Sequence, residues 1–254
     1  MPEAGGIHYY SHPTGESSHP VIVLLHGLGG DYLSWPADVR RLPGYSVFTP
    51  EMPGHGDSRG PGMQSVQDYA ASMMKFMDAI GVWQGIFVGH SLGGAIALTL
   101  ALQYPERTAG FAVISTGSRL PIPREIMDYA GNPTTYPSVV NRLQELMRGP
   151  ETSPRLMEQN AKKLLRLRPS LVLGDLMACE QFDVTDHLAS IKAPSLVICG
   201  AEDKMTPPRF STYLAAHLYG SALQTFDVAG HLLPLEQPAR LAKLLSVFFN
   251  SITV

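Results

Sequence analysis

Residues 85–103 read GIFVGHSLGGAIALTLALQ, and this stretch decides the fold. Its first part, GIFV, is an apolar run typical of buried strands, and its last part, GAIALTLAL, favours a helix. Between them, Gly89-His90-Ser91-Leu92-Gly93 places a serine at a tight turn. The backbone at such a turn is strained and crowded, so small residues are needed two positions before and after the serine. The stretch therefore predicts a strand, a sharp turn that exposes Ser91, and a helix.

Further apolar runs lie on both sides of this stretch. They are continuous rather than alternating, which is typical of strands that helices cover on both faces. The runs occupy residues 21–25, 45–49, 85–89, 110–115, 195–200 and 223–228, and helical patterns lie near residues 65–81, 92–103, 208–218 and 236–251. This alternation predicts an α/β fold with a mostly parallel, doubly wound sheet.

The alternation stops at residues 116–188, where prolines separate short helical patterns and no convincing strand occurs. We interpret this segment as a helical lid inserted into a core made of residues 1–115 and 189–254. One of the predicted helices in the lid has an apolar face, because Met157, Ala161, Leu164 and Leu165 recur at helical spacing. We expect this face to pack on the core, and direct contact with a substrate is the alternative.

A serine hydroxyl is a weak nucleophile at neutral pH and needs a histidine base that a third group orients. His231, in DVAGHLLPLEQP, follows the last predicted strand, and Asp203, in CGAEDKMTPP, follows the strand before it. The chain order Ser91, Asp203, His231 is one in which catalytic triads occur. We therefore predict that these three residues form a Ser-His-Asp triad.

Attack by serine on a carbonyl creates a negatively charged oxygen, which suitably placed N–H donors stabilise. The backbone N–H of Leu92, directly after the serine, is one candidate donor. The N–H of Leu28 is the second, because the loop His26-Gly27-Leu28-Gly29-Gly30 is rich in glycine and its backbone can approach a ligand closely.

Several other polar residues near these motifs have alternative interpretations. Asp57, Asp183 and Asp186 are less favoured candidates for the acid of the triad. His26, His55 and His90 are expected to be structural, with side-chain hydrogen bonds that hold their loops.

Taken together, HGLGG (26–30), PGHGDS (53–58), GHSLGG (89–94), GAEDKMTP (200–207) and AGHLLPLEQP (229–238) resemble the α/β-hydrolase superfamily, in its branch of lidded esterases, enol-lactonases and C–C hydrolases. The resemblance covers almost the whole chain outside the predicted lid. One departure is visible: the short segment before HPVIVLLHG leaves room for one edge strand but not for the full N-terminal hairpin that the family often has.

The motifs predict a serine hydrolase that cleaves a small or medium carboxylic ester through an acyl-enzyme and needs no cofactor. A second interpretation keeps the triad but changes the reaction, to cleavage of a C–C bond or an enol-lactone, or to an elimination. Arg119 and Arg124 are candidates for the anion-binding groups that some of these reactions need, although we expect them at the surface. A third is a ligand receptor that retains the hydrolase fold.

Composition disfavours several other classes of protein function. The net charge of −3, without a long basic tract, does not favour binding to nucleic acid. No run is long enough to span a bilayer and the first residues lack a signal-peptide pattern, so we expect no membrane association and a cytoplasmic location. Cys179 and Cys199, the two cysteines, suggest neither a disulfide scaffold nor a zinc site, and no histidine spacing indicates a metal.

The predicted lid contains a basic segment within this acidic chain. Between residues 142 and 168 the cations are Arg142, Arg148, Arg155, Lys162, Lys163, Arg166 and Arg168, and the acids are Glu145, Glu151 and Glu158. A solvated helix face is the expected explanation. The alternative is a docking surface for an acidic partner such as an acyl carrier protein.

Overall fold

The computed structural model describes residues 1–14 and 20–252. Eight strands form one sheet: β1 (Glu3–Ala4), β2 (Ile7–His12), β3 (Val21–Leu25), β4 (Val47–Pro50), β5 (Gly85–His90), β6 (Thr108–Ile114), β7 (Ser195–Gly200) and β8 (Ala222–Phe226). Their spatial order is β1-β2-β4-β3-β5-β6-β7-β8. The pairs β1/β2 and β2/β4 are antiparallel and every other pair is parallel. The predicted mostly parallel sheet is confirmed.

The N-terminal edge of the sheet differs from the sequence-based expectation. That expectation, of one edge strand and no hairpin, is wrong: β1 pairs with β2, with Glu3 opposite His8 and Ala4 opposite Ile7. The turn between them consists of Gly5 and Gly6, at φ of 58° and 81°. Two consecutive residues at positive φ make a tight turn, so the hairpin fits into very few residues.

Helices cover both faces of the sheet. They are α1 (Ala37–Arg40), α2 (Val66–Ala79), α3 (Leu92–Gln103), α4 (Arg124–Ala130), α5 (Tyr136–Met147), α6 (Pro154–Arg166), α7 (Pro169–Gln181), α8 (Pro208–His217), α9 (Leu233–Glu236) and α10 (Pro238–Asn250). Alternate residues of a strand point to opposite faces. In β3, Val23 and Leu25 pack with α2 and α3, whereas Ile22 and Leu24 pack with α1 and α10. Each fully buried aliphatic side chain contributes about 1.5 to 3 kcal/mol to folding, which explains why β3, covered on both faces, is apolar throughout.

Helices α4 to α7 lie between β6 and β7 and have an apolar core of their own. Val140, Leu143 and Val172 belong to that core, and Leu28 and Leu232 of the main body pack into it. We call residues 124–181, which contain these four helices, the insertion. The insertion therefore contacts the two loops that carry the candidate oxyanion donor Leu28 and the candidate base His231.

The apolar face predicted for α6 is confirmed only in part. Leu164 is buried and packs in the core of the insertion, with Met157 and Ala161 half-buried beside it. Leu165, however, is 48% exposed, so its inclusion in the packed face is wrong. Successive helical residues are about 100° apart around the axis, which turns Leu165 away when Leu164 faces inward.

Within the described residues, no helix combines the length and apolarity that crossing a bilayer requires. Cys179 and Cys199 are both buried free thiols, and burial raises the pKa of each. They therefore pack as small apolar side chains.

Candidate active site

Ser91 occupies the turn between β5 and α3 in a strained conformation, with φ of 55° and ψ of −118°. The space around this turn explains its two glycines. A Cβ atom at Gly89 would lie 2.0 Å from the carbonyl oxygen of Gly93, and one at Gly93 would lie 2.1 Å from the carbonyl oxygen of Leu25. No side chain fits at either position. The predicted strand, sharp turn and helix are therefore all present.

The structure brings Ser91, His231 and Asp203 together. The Nε2 atom of His231 lies 3.0 Å from Ser91 Oγ, and its Nδ1 lies 2.9 Å from Asp203 Oδ2. All three residues are buried, with exposures of 6%, 1% and 3% for Ser91, His231 and Asp203. A hydroxyl, an imidazole and a carboxylate in this order can move a proton from the hydroxyl to the ring.

Asp203 is held as an ionised carboxylate. Its Oδ1 accepts the backbone N–H groups of Met205 and Thr206, and its Oδ2 accepts the Thr206 hydroxyl at 2.8 Å. Burial alone would raise the pKa of Asp203, but the facing His231 and these hydrogen bonds outweigh burial and lower it. Thr206 is a functional residue that the sequence analysis missed, because a threonine in a loop carries no signal of its own.

The loop that carries His231 is fastened on several sides. The backbone N–H of His231 donates to the carbonyl of Met147 at 3.1 Å, and the neighbouring Gly230 N–H donates to the side chain of Glu236. The Nε2–H of His90 donates to the carbonyl of His231 at 2.7 Å. Burial, with the adjacent His231, lowers the pKa of His90 to about 3, so His90 is a neutral donor. Its expected structural role is consistent with this geometry.

The glycine-rich loop, residues 26–30, which carries the candidate oxyanion donor Leu28, lies against Ser91: a Cβ atom at Gly27 would be 3.2 Å from Ser91 Cβ. Among the described residues, the N–H groups of Leu28 and Leu92 donate to no acceptor of the chain, so both are free to bind a ligand oxygen. The imidazole of His26 fixes the loop, since its Nδ1–H donates to the Gly27 carbonyl and its Nε2 accepts the N–H of Met52. Burial lowers the pKa of His26 well below its usual value, which leaves it neutral.

A buried carboxylate from the insertion also contacts this loop. Asp175 of α7 accepts the N–H of Gly29 at 2.9 Å, the His55 Nε2–H at 2.9 Å and the Tyr69 hydroxyl at 2.6 Å. Burial would raise the pKa of Asp175, but the ion pair with His55 and the hydrogen bonds outweigh it and lower that pKa. Burial likewise opposes the charge on His55, yet Asp175 holds the pKa of His55 above its usual value. The sequence analysis identified His55 as structural but missed Asp175.

The alternative acids lie elsewhere. Asp57 and Asp186 are exposed, and Asp183 faces Arg119 at 3.8 Å. None of the three has a contact with His231 within the described part of the chain. Arg119 and Arg124 are exposed as well, in agreement with the expected surface location.

Two cavities meet at Ser91 and Leu28. The smaller, of about 170 Å³, is enclosed mainly by apolar side chains, among them Leu120, Ile122, Ile126, Leu146, Met205 and Phe210. We call it the apolar cavity. The larger, of about 800 Å³, extends from His231 to the end of α6 and the start of α7, where Lys162, Lys163, Arg166 and Arg168 line it. We call it the basic cleft.

Several cations of the basic segment have carboxylate partners. Arg142 pairs with Glu145, Lys162 with Glu158, and Lys163 with Asp31. Arg166 and Arg168 have no ion pair with any described carboxylate, and Arg168 donates only to the carbonyl of Gly60. The uncompensated positive charge in the cleft is thus concentrated where α6 ends.

Known proteins share the fold of this chain over most of its length. A family profile described as alpha/beta hydrolase fold matches residues 20–238. A Caulobacter segnis protein named as a carbamate hydrolase, RutD, is 31% identical over 89% of this chain and 90% of its own length. A 3-oxoadipate enol-lactonase of Acinetobacter baylyi is 26% identical over 94% of this chain and 91% of its own. The solved structure of a thermophilic esterase from Thermogutta terrifontis superposes with a TM-score of 0.86, at 24% identity, over 98% of this chain and 94% of that one.

Proposed function

Because the chain belongs to the α/β-hydrolase family and is a hydrolase, we propose that it cleaves a carboxylic ester through an acyl-enzyme formed on Ser91. The observation that carries the proposal is the continuous hydrogen-bonded row from Asp203 through His231 to the strained Ser91. A serine outside such a row is a poor nucleophile at neutral pH.

In the first half of the reaction, Ser91 Oγ attacks the ester carbonyl and passes its proton to Nε2 of His231. Asp203 accepts the hydrogen bond from Nδ1–H and stabilises the positive charge that forms on the ring. The carbonyl oxygen becomes an oxyanion and accepts the N–H groups of Leu28 and Leu92. One well-placed donor of this kind lowers the barrier by about 3 kcal/mol. The C–O bond to the alcohol then breaks, and the alcohol leaves with the proton from His231.

In the second half, water attacks the acyl carbon and His231 takes one of its protons. The bond between the acyl carbon and Ser91 Oγ breaks, the proton returns to Oγ, and the carboxylic acid leaves. The same two donors hold the second oxyanion, so one site serves both halves.

The relatives named for carbamate and enol-lactone hydrolysis suggest two related substrates, since both reactions are acyl transfers that the same groups can perform. We favour an open-chain ester because two separate cavities meet at Ser91, one for each arm of such a molecule. Arg119 and Arg124, the two residues considered as anion-binding groups for C–C cleavage or elimination, line neither cavity.

The test is the turnover of p-nitrophenyl acetate and butyrate by a Ser91→Ala variant. Loss of a triad member usually costs about four to six orders of magnitude in rate, and we expect a fall of that size. Ser115→Ala is the matched control, since Ser115 is also buried and at positive φ but lines neither cavity. Undiminished turnover by Ser91→Ala would refute the proposal, and negligible turnover by the wild type on every ester would favour a receptor.

A further inference from the structure

We propose that the substrate is the ester of a short apolar acid with a larger alcohol that carries a carboxylate or phosphate group. This inference rests on the proposed function, because it assigns the two arms of an ester to the two cavities that meet at Ser91. It commits the basic cleft to the alcohol and the apolar cavity to the acid.

The position of His231 decides which arm enters which cavity. The leaving alcohol oxygen receives its proton from Nε2 of His231 and must therefore lie beside that ring. His231 lines the basic cleft and is not part of the lining of the apolar cavity. The alcohol therefore extends into the basic cleft, and the acyl chain occupies the apolar cavity on the other side of the nucleophile.

The volume of the apolar cavity limits the length of the acyl chain. The apolar cavity measures about 170 Å³, close to the roughly 150 Å³ of an apolar cavity that binds benzene. An acyl chain of up to about six carbon atoms is thus the largest that fits without displacing side chains. The basic cleft, of about 800 Å³, lies within the usual range of ligand sites, roughly 300 to 1,000 Å³, and accepts a much larger group.

The positive charge of the basic cleft indicates that the alcohol carries an anionic group. Among the described residues that line the cleft, Asp31 is the one acid, and it is already paired with Lys163 at 2.9 Å. Lys162 is paired with Glu158. Arg166 and Arg168 keep their charge uncompensated by any described carboxylate, and guanidinium groups bind carboxylates and phosphates with two parallel hydrogen bonds. An anion at the far end of the alcohol meets this pair.

The experiment compares butyrate esters of three-carbon and six-carbon alcohols whose far end is a methyl, a carboxylate or a trimethylammonium group. Hydrolysis is followed by proton release at low ionic strength. We expect kcat/KM for the carboxylate ester to exceed that for the methyl ester by about fivefold. The factor is small because the two ion pairs with the arginines are partly exposed, and exposed ion pairs contribute little to binding. The trimethylammonium ester should be the slowest, and added salt should reduce all differences.

Substitutions identify the source of the preference. In the double variant Arg166→Gln/Arg168→Gln, the carboxylate-to-methyl ratio of kcat/KM should fall to about one. Arg155→Gln is the matched control, because Arg155 lies on the same helix but outside the lining of the cleft, and it should leave the ratio unchanged. Thermal melting of each variant verifies that it is folded.

Three outcomes overturn the inference while the proposed function stands. They are equal rates for the three charge types, a ratio that survives the double substitution, and a preference for a carboxylate on the acyl side, tested with monoethyl adipate against ethyl butyrate. The last would move the anion to the exposed Lys204 and Arg209, which also line the apolar cavity. If the wild type cleaves no ester faster than Ser91→Ala does, the proposed function itself fails.

Discussion

The carboxylate of Asp175, which α7 of the insertion carries, accepts the backbone N–H of Gly29 at 2.9 Å. Gly29 directly follows Leu28, whose N–H is a proposed oxyanion donor, and it adopts a φ of 60°. A fully buried charge therefore connects the insertion with the loop that would stabilise the intermediate.

The first prediction concerns Asp175→Asn. The change leaves a protonated His55 without its counter-charge, and breaking a buried ion pair in this way costs about 3 kcal/mol of unfolding free energy. Displacement of the glycine-rich loop, which carries the proposed oxyanion donor Leu28, should lower kcat on p-nitrophenyl butyrate by about 10- to 100-fold. Urea unfolding and steady-state kinetics measure the two effects. Asp183→Asn, at an exposed aspartate, is the control, and an unchanged kcat in folded Asp175→Asn would contradict the prediction.

The second prediction concerns pH and the pair His55–Asp175. The pKa of His55 is raised above 6.5, so its stabilising contribution is complete below pH 6.5 and is lost as the pH rises through the raised value. The pKa of Asp175 is lowered below 3.8, so its contribution is complete above pH 3.8 and is lost as the pH falls through the lowered value.

The unfolding free energy of the wild type minus that of His55→Gln should therefore decrease as the pH rises from 6.5 into the alkaline range. Guanidinium unfolding at several pH values measures this difference. A difference that is constant over the range would mean that His55 is neutral in the folded protein.

The third prediction concerns the turn at the nucleophile. In Gly89→Ala the new Cβ would lie 2.0 Å from the Gly93 carbonyl oxygen, so the turn must open, with a loss of more than about 4 kcal/mol of unfolding free energy and of activity. Gly81→Asn is the control, because no atom would lie within 4 Å of its Cβ and asparagine tolerates its φ of 70°. Expression of soluble protein and urea unfolding measure the contrast. A stable, active Gly89→Ala would show that the turn is not tight.

The fourth prediction concerns Thr206→Val. This change removes the hydroxyl that donates to Asp203 but keeps the side-chain volume and the backbone N–H. A hydrogen bond to a charged group contributes about 1.5 kcal/mol, which corresponds to about a tenfold decrease in kcat if it orients the acid in the transition state. Steady-state kinetics test this, with Thr212→Val on the exposed side of α8 as the control. Equal kcat values for the two variants would contradict the prediction.

The sheet and the proximity of Ser91, His231 and Asp203 could be predicted because both follow from local patterns. Continuous apolar runs indicate buried parallel strands, and Ser91, Asp203 and His231 follow the carboxyl ends of β5, β7 and β8. Carboxyl ends of parallel strands meet at one edge of a sheet, so three residues far apart in sequence come together there.

The remaining features depend on tertiary contacts that no local pattern records. Asp175 lies between the apolar stretches LVLG and LMAC of α7, and its role depends on residues more than 100 positions away in the chain. The two-residue strand β1 is too short for a periodic signal, and its hairpin becomes predictable only from Gly5 and Gly6. The two cavities depend on how the insertion rests on the main body, and the sequence of α6 does not contain that orientation.

The most direct test of the proposed mechanism is rapid quenching of the wild type with p-nitrophenyl butyrate, followed by mass analysis of its peptides. An acyl-enzyme predicts one butyryl group on the peptide that contains Ser91, absent from Ser91→Ala, and, where deacylation limits the rate, a burst of p-nitrophenol equal to the enzyme concentration. Full-rate hydrolysis with no butyryl group on Ser91, or with the group on another residue, would contradict it.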